Sequence, residues 1–179
     1  LPFGGRTLTA DLVRGLSVPY AEAQKAKEHY GTAFAQLVDP RETVEVPGPS
    51  PGQKRAVARE LIAHIIEQRL DEMFGLVQGE LQDRDLIDNL GAGVVLTGGT
   101  VAIPGIVELA QQIFASPVRL GVPNEGLSGL AESVQRPQFA IATGLALWGA
   151  DRFMETGRGA STITSGMFTK LGTWLKEFF

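Results

Sequence analysis

The stretch Gly93–Ile106 constrains the fold of this chain more than any other. Val94–Leu96 is a short apolar run, which predicts a buried strand. Gly98 and Gly99 break that run, and an apolar helical pattern begins after Pro104, which fits the first turn of a helix. Because glycines lack a Cβ, a flat ligand ring can lie against the turn, and the free amides of the helix favour an anion. The same strand, turn and helix also occur as plain connections, so the turn alone leaves both interpretations open.

Composition limits the class of protein. A chain of 179 residues, 44% apolar and 20% charged, suits one globular domain or one with a small insertion. The net charge of −4 argues against nucleic acid as a partner, and zero cysteines with two histidines argue against zinc. No apolar run approaches the roughly 20 residues that span a bilayer, and no secretory segment is present. We expect a soluble, intracellular protein and, because the first residues read as a loop already in progress, a piece of a longer one.

Two helices are predicted near the start. Thr9 can cap the first helix through its hydroxyl, and Pro19 and Gly31 bound the second. Glu22 and Lys25 are three residues apart, so they share a helical face and can point at one ligand. The alternative is a solvated ion pair worth about 0.2–0.5 kcal/mol, which the spacing alone favours.

A strand and a long helix follow. Thr43–Val46 alternates like an edge strand, and the proline and glycine residues of 47–52 prevent any regular element from continuing. Lys54 and Arg55 stand at the start of the long helix. Apolar residues at three- and four-residue steps predict one buried face. They are Val57, Leu61, Ile62, Ile65, Ile66, Leu70, Met73, Phe74, Val77 and Leu81.

Beyond the glycine turn, the pattern predicts a helix and then a returning strand at Pro117–Leu120. Strand, helix and strand at this spacing imply a right-handed crossover between parallel strands. Residues 136 and 137 then open an apolar helix over Phe139–Trp148, whose small residues should allow close packing on the sheet.

The last segment has the most distinctive pattern. Residues 155–165 are rich in Gly, Ser and Thr and should form a flexible linker with a mean reach of about 17–19 Å. Residues 166–179, placed on a helix, gather their apolar side chains into an arc of about 140°. The lysines flank this arc, where they can meet lipid phosphates. The membrane-binding set is Met167, Phe168, Lys170, Leu171, Trp174, Leu175, Lys176, Phe178 and Phe179. The alternative is that this helix docks on the chain's own domain or on a partner helix. The long linker and the high aromatic content of the tail weigh against that alternative.

Taken together, these motifs resemble the C-terminal half of the FtsA family, the bacterial actin-like cell-division proteins. The resemblance rests on Leu1–Gly5, Thr9–Leu12 and Ala21–Gly31, on Leu96–Thr100 through Gly105, and on Arg136–Ala140 with Gly144, followed by the linker and tail. The segment Leu96–Thr100 through Gly105 resembles the adenosine motif of the actin, Hsp70 and sugar-kinase superfamily. Thr100 replaces the glycine or alanine-like residue often found in that motif.

The resemblance implies an α/β fold: an actin-like ATPase (ribonuclease H-like) lobe with an inserted α+β subdomain and a C-terminal amphipathic helix. Residues 1–31 would begin the lobe, 32–90 would form the inserted upper subdomain, 91–154 would complete the lobe, and 155–165 and 166–179 would be the linker and membrane-targeting helix.

The resemblance also implies a function. ATP would contact Glu22, Lys25, Gly98, Gly99, Thr100 and Val101, with Mg and the phosphates held mainly by the N-terminal half of the family's proteins, so that at most weak ATPase activity is expected. Partners would be the C-terminal peptide of the tubulin-like protein FtsZ, which could meet Lys54 and Arg55, other copies of the chain, and the membrane. The expected role is a scaffold that ties the FtsZ ring to the cytoplasmic face of the membrane at the division septum. A sugar-kinase-like phosphotransferase and a chaperone-type ATPase lobe are the alternatives.

Overall fold

The structure is a computed structural model that describes residues 2–50, 52–87, 90–123 and 131–155. This part of the chain begins with two helices and a pair of strands, and from there on helices and strands alternate, as in α/β proteins. The helices are α1 (Gly5–Leu16), α2 (Tyr20–Tyr30), α3 (Arg59–Asp83), α4 (Ile106–Phe114) and α5 (Ala140–Glu155), and the strands are β1 (Thr43–Pro47), β2 (Lys54–Ala58), β3 (Val94–Leu96) and β4 (Val118–Leu120).

Helix α1 begins five residues earlier than the sequence predicted, with Gly4 rather than Thr9 as its N-cap. The prediction that Thr9 caps it is wrong: Thr9 is fully buried inside the helix, and its hydroxyl donates to Gln24 of α2 at 2.6 Å. The helix starts at Gly5, which lies against the glycine turn: a Cβ added there would be 2.7 Å from Thr100 Oγ1. Helix α2 runs between Pro19 and Gly31 as predicted.

The predicted edge strand is confirmed as β1, which pairs antiparallel with β2 in a two-stranded hairpin. Sequence reasoning missed β2. The assignment of Val57 to the long helix is wrong, because Val57 pairs with Val44 in the hairpin and is buried there. Helix α3 starts at Arg59, two residues after Val57. It buries one face of its first half, with Ile62, Ile66 and Leu70 in the core.

The segment β3–α4–β4 is confirmed, with β3 and β4 paired parallel. The prediction that β3 is buried is wrong: Val95 is 48% exposed, and Val94 and Leu96 are half-buried. Pro104 does not enter the first turn of α4 as predicted. Gly105 is instead the N-cap of α4, in a left-handed conformation with φ of 82°. The turn therefore ends at Gly105 and the helix begins at Ile106. The carbonyl of Pro104 instead accepts a hydrogen bond from the amide of Ala33 at 2.8 Å, which ties the glycine turn to the exit of α2.

Helix α5 does not pack on the sheet as predicted. Ile141, Leu145 and Trp148 are 72%, 63% and 60% exposed. Its main neighbour in the described residues is the short 3-10 helix Pro137–Phe139. The described part of the β3–β4 sheet has two strands.

One hydrophobic core joins most of these elements. Leu8, Leu12 and Leu16 of α1 lie at its centre with the inward side chains of the hairpin. Val101 and Ile103 extend it to the glycine turn, so this turn is fixed by packing as well as by hydrogen bonds. No helix in the described residues is long and apolar enough to cross a membrane. The predicted linker beyond residue 155 and the predicted tail fall outside the described residues.

Candidate functional site

A cleft of about 770 Å³ lies between the first two helices and the glycine turn. The start of α1 and one face of α2 form one wall, and the 3-10 helix Gly99–Ala102 with the residues after it forms the other. The lining residues are Gly5, Arg6, Tyr20, Gln24, Lys27, Glu28, Gly99, Thr100, Ala102, Ile103, Pro104 and Gln138. Its size suits a ligand of drug or cofactor dimensions.

The turn wall presents backbone rather than side chains. Gly98 has φ of 100° and ψ of 179°, a conformation that is essentially restricted to glycine. Its amide donates to Pro137 O at 3.0 Å, which holds the turn against the last 3-10 helix. A Cβ added at Gly99 would meet no heavy atom within 4 Å. The turn therefore leaves open space beside its peptide planes, as a flat ligand requires.

The helical wall carries a buried ammonium group. Lys27 is 9% exposed, and its Nζ donates to Thr9 Oγ1 at 2.9 Å, to Gln24 Oε1 at 2.9 Å and to Gly5 O at 3.1 Å. All three acceptors are uncharged. Burial lowers the pKa of Lys27 from its ordinary value because the ammonium loses water, and the nearby carboxylate of Glu28 offsets part of this effect.

Gln24 connects this ammonium to the rim of the cleft. Its side-chain oxygen accepts from Lys27 and its amide nitrogen donates to Glu28 Oε1. Among the cleft's charged side chains, Arg6 and Lys27 are cationic and Glu28 is anionic. The cleft therefore combines an excess of positive charge with a carboxylate that can accept from hydroxyl groups, which suits a phosphorylated ligand that also carries hydroxyls.

Comparison with known proteins establishes the family. The model of the family described as "Cell division protein FtsA" matches residues 1–144. The chain belongs to the FtsA family. The cell division protein FtsA of Pseudomonas aeruginosa is 39% identical over 166 residues, which are 93% of this chain and 39% of that protein. FtsA of Neisseria meningitidis serogroup B is 42% identical over 146 residues, 81% of this chain and 35% of that protein. The chain thus spans about two fifths of the length of these relatives.

Solved structures show the fold of this FtsA-family chain. MreB 5 of Spiroplasma citri, in a crystal structure bound to AMPPNP, superposes with a TM-score of 0.66 over 89% of this chain and 47% of that one, at 14% identity. The predicted actin-like ATPase fold of the α/β class is therefore confirmed.

The site residues predicted from the FtsA resemblance divide between two places. Gly99 and Thr100 line the cleft. Gly98 and Val101 flank them in the turn, with Val101 buried in the core. Glu22 and Lys25 line a second hollow on the opposite face of α2, where Lys25 Nζ bonds Glu22 Oε1 at 2.8 Å. The ion pair that was the alternative interpretation is therefore present.

The side chains of α2 that the cleft does contain were missed in the sequence. Gln24, Lys27 and Glu28 lie on the face opposite Glu22 and Lys25. A signal was available: Lys27 follows the buried Ala23 by four residues, so it shares the buried face of α2. A lysine that shares a helix face with buried alanines points toward the protein rather than into solvent.

The predicted peptide-binding residues both lie in β2 and both have partners. Lys54 Nζ bonds Glu45 Oε2 of β1 at 2.8 Å, which raises the pKa of Lys54 and lowers that of Glu45. Arg55 donates to the carbonyl of Leu16 at the end of α1. Lys54 remains exposed and Arg55 is half-buried.

Proposed function

We propose that this chain is the nucleotide-binding and membrane-attaching part of an actin-like cell-division scaffold. The observation that carries the proposal is the cleft, which sets the Cβ-free turn at Gly99 opposite the buried ammonium of Lys27. The ligand would be ATP: the MreB 5 neighbour of the same fold is bound to an ATP analogue.

The residues of the cleft fit such a ligand. Gly98 and Gly99 would lie beside the adenosine, because a Cβ added at either would meet no heavy atom within 4 Å. Thr100 and the backbone at Val101 would continue this contact along the turn. Lys27 and Arg6 would attract the phosphates, and the carboxylate of Glu28 would accept from ribose hydroxyls. Phosphoryl transfer depends on a metal and on positioning of the phosphates. We propose at most weak ATPase activity for these residues, because the FtsA resemblance implies that Mg and the phosphates are held mainly by the N-terminal half of the family's proteins.

A titration of the isotopically labelled chain tests nucleotide binding. ATP should shift the backbone NMR signals of Gly99, Thr100 and Lys27, and adenosine should shift those of the turn alone. Inorganic triphosphate, the matched probe without a base, should leave the turn signals unchanged. If ATP and triphosphate shift the same signals equally, the site binds anions rather than nucleotides and the proposal fails.

Membrane attachment would come from residues 166–179. A tail with seven apolar residues buries about half of their surface at an interface, and ordering the peptide costs at least about 1 kcal/mol per residue. A single copy should therefore attach weakly, and self-association should hold several linked copies firmly on the cytoplasmic face of the membrane at the septum.

Liposome flotation tests the tail. The whole chain should float with vesicles containing anionic lipid, whereas a form that ends at Met154 should stay in solution. Equal behaviour of the two forms would contradict the proposal, since both retain the cleft and the core.

The scaffold would hold the FtsZ ring through the hairpin and α3. An acidic peptide would contact Lys54 and the neighbouring Arg55. Lys54 is exposed, so its ammonium can leave the carboxylate of Glu45 and bind a carboxylate of the peptide. Lys54→Glu should weaken binding of the C-terminal FtsZ peptide. Arg84→Glu, which changes an exposed cation at the far end of α3, is the matched control and should not.

A further inference from the structure

A second hollow, of about 230 Å³, lies between α2 and β1 on the face of α2 that points away from the cleft. Ala26, His29 and Tyr30 form the helical side, and Val44–Pro47 forms the other. Successive side chains of a strand point to opposite faces. A hollow lined by four consecutive strand residues therefore runs along the edge of β1 rather than over one face of the sheet.

The pairing of the hairpin shows which backbone groups this edge presents. The amide of Gly48 donates to Gln53 O at 2.7 Å, and the amide of Arg59 donates to Glu42 O at 2.9 Å. Both pairs continue the β1–β2 register. Hydrogen-bonded and non-hydrogen-bonded pairs alternate in an antiparallel ladder. Positions 44 and 46 therefore bond to β2, whereas positions 43, 45 and 47 turn their backbone groups outward.

The outward groups are the amides of Thr43 and Glu45 and the carbonyls of Thr43, Glu45 and Pro47. In the described residues, no hydrogen bond joins them to another element. Pro47 has no amide hydrogen, so the row of donors ends there. Unpaired edge groups of this kind form a template for another strand.

The polar groups around the hollow are mostly acceptors. Glu22 and Glu45 contribute carboxylates, and each already accepts a hydrogen bond from one lysine, Lys25 and Lys54 respectively. Both pairs are exposed, and a carboxylate can accept from several donors, so both keep acceptor capacity for a bound segment. His29 Nδ1 lies 2.9 Å from the carbonyl of Lys25 and donates its hydrogen there. Donors on a bound segment, and cationic ones above all, would complement these groups.

We propose that the outer edge of β1 binds an extended peptide of a partner protein in which apolar and basic residues alternate. The peptide would add a strand to the hairpin, with main-chain bonds to Thr43 and Glu45. Its apolar side chains would fill the hollow over Ala26, and its basic side chains would lie beside Glu45. This inference does not depend on nucleotide binding, and its peptide is opposite in charge to the acidic one proposed for Lys54.

NMR titration of the whole labelled chain tests the proposal with a capped peptide of alternating arginine and valine. The amides of Thr43 and Glu45 should shift, and a peptide of alternating glutamate and valine should bind at least about tenfold more weakly because like charges oppose it. Glu45→Pro removes one outward donor and leaves the ladder to β2 intact, so it should weaken binding at least about tenfold. Glu45→Gln keeps the amide and should retain binding with reduced charge selectivity.

Cross-strand contacts between β1 and β2 in each variant verify that the hairpin persists. Equal affinity of Glu45→Pro and the parent chain would overturn strand addition, as would the absence of shifts at Thr43 and Glu45. Equal affinity for the two peptides would overturn the charge assignment. Shifts of these amides with chain concentration, without peptide, would show that a second copy occupies the edge and would also contradict the proposal.

Discussion

Replacing Gly99 by valine tests the cleft at the point where the structure leaves most room. No heavy atom lies within 4 Å of an added Cβ, and the backbone of Gly99 does not require glycine, unlike that of Gly98. The substitution should therefore change the free energy of unfolding by no more than about 0.5–1 kcal/mol. The new side chain must instead extend into the space proposed for adenosine.

The size of the effect on binding follows from contact distances. Valine adds three carbon atoms beside the turn, so a ring lying against the peptide must move outward. A gap of about 0.5–1 Å already forfeits a quarter to a half of each dispersion contact. We expect ATP affinity to fall about ten- to a hundredfold, which corresponds to about 1.4–2.7 kcal/mol.

Titration of the chain with ATP, by NMR or calorimetry, measures this loss. Gly91→Val is the matched control because it also meets no atom within 4 Å but lies outside the cleft. Gly98→Ala should instead lower stability by about 1–3 kcal/mol, since its φ of 100° strains any side chain. A folded Gly99→Val chain with unchanged ATP affinity would refute the placement of adenosine at this turn.

Further predictions concern the ion pair between α1 and α3, the ammonium of Lys27 and the predicted tail. Arg69, which binds Asp11 through two hydrogen bonds of 2.5 and 3.1 Å, joins α3 to α1, so Arg69→Met should destabilise by about 1.5–3 kcal/mol in denaturant unfolding. Arg84→Met, which breaks an exposed pair within α3, should cost less than about 1 kcal/mol. The lowered pKa of Lys27 means that its charge is lost at a lower pH than that of an ordinary lysine; ATP affinity should therefore fall as pH rises toward 10.5, and Lys27→Arg should flatten that profile. Trp174→Glu should abolish flotation with vesicles and leave the thermal unfolding midpoint unchanged, and persistent flotation would contradict membrane insertion of the tail.

Local sequence signals predicted the elements of this fold well. Val94–Leu96 and Ile106–Phe114 were predictable because apolar period and glycine punctuation agree there. Strand β2 was not, because Lys54–Ala58 shows no clear alternation and owes its conformation to pairing with β1. The start of α1 was also missed, because its N-cap is Gly4 and no side-chain cap marks that position in the sequence.

The cleft was predicted only in part, because a local sequence signal identifies only one of its two walls. Gly99 and Thr100 follow from a local turn motif. The helical wall requires knowing which face of α2 turns toward that motif, and this is decided by packing of Ala23 and Ala26 in the core. The spacing of Glu22 and Lys25 identified a shared face correctly but could not identify what that face meets.

The most direct test of the account compares two lysines on opposite faces of α2. Lys27→Met removes the ammonium from the cleft, and Lys25→Met removes an ammonium from the hollow beside β1. Measured by ATP titration of the two folded variants, the affinity should fall at least about tenfold in Lys27→Met, because the cleft loses a positive charge that attracts the phosphates, and stay within about twofold in Lys25→Met. Loss of affinity in Lys25→Met with Lys27→Met unchanged would place the nucleotide on the other face of the helix and contradict the account.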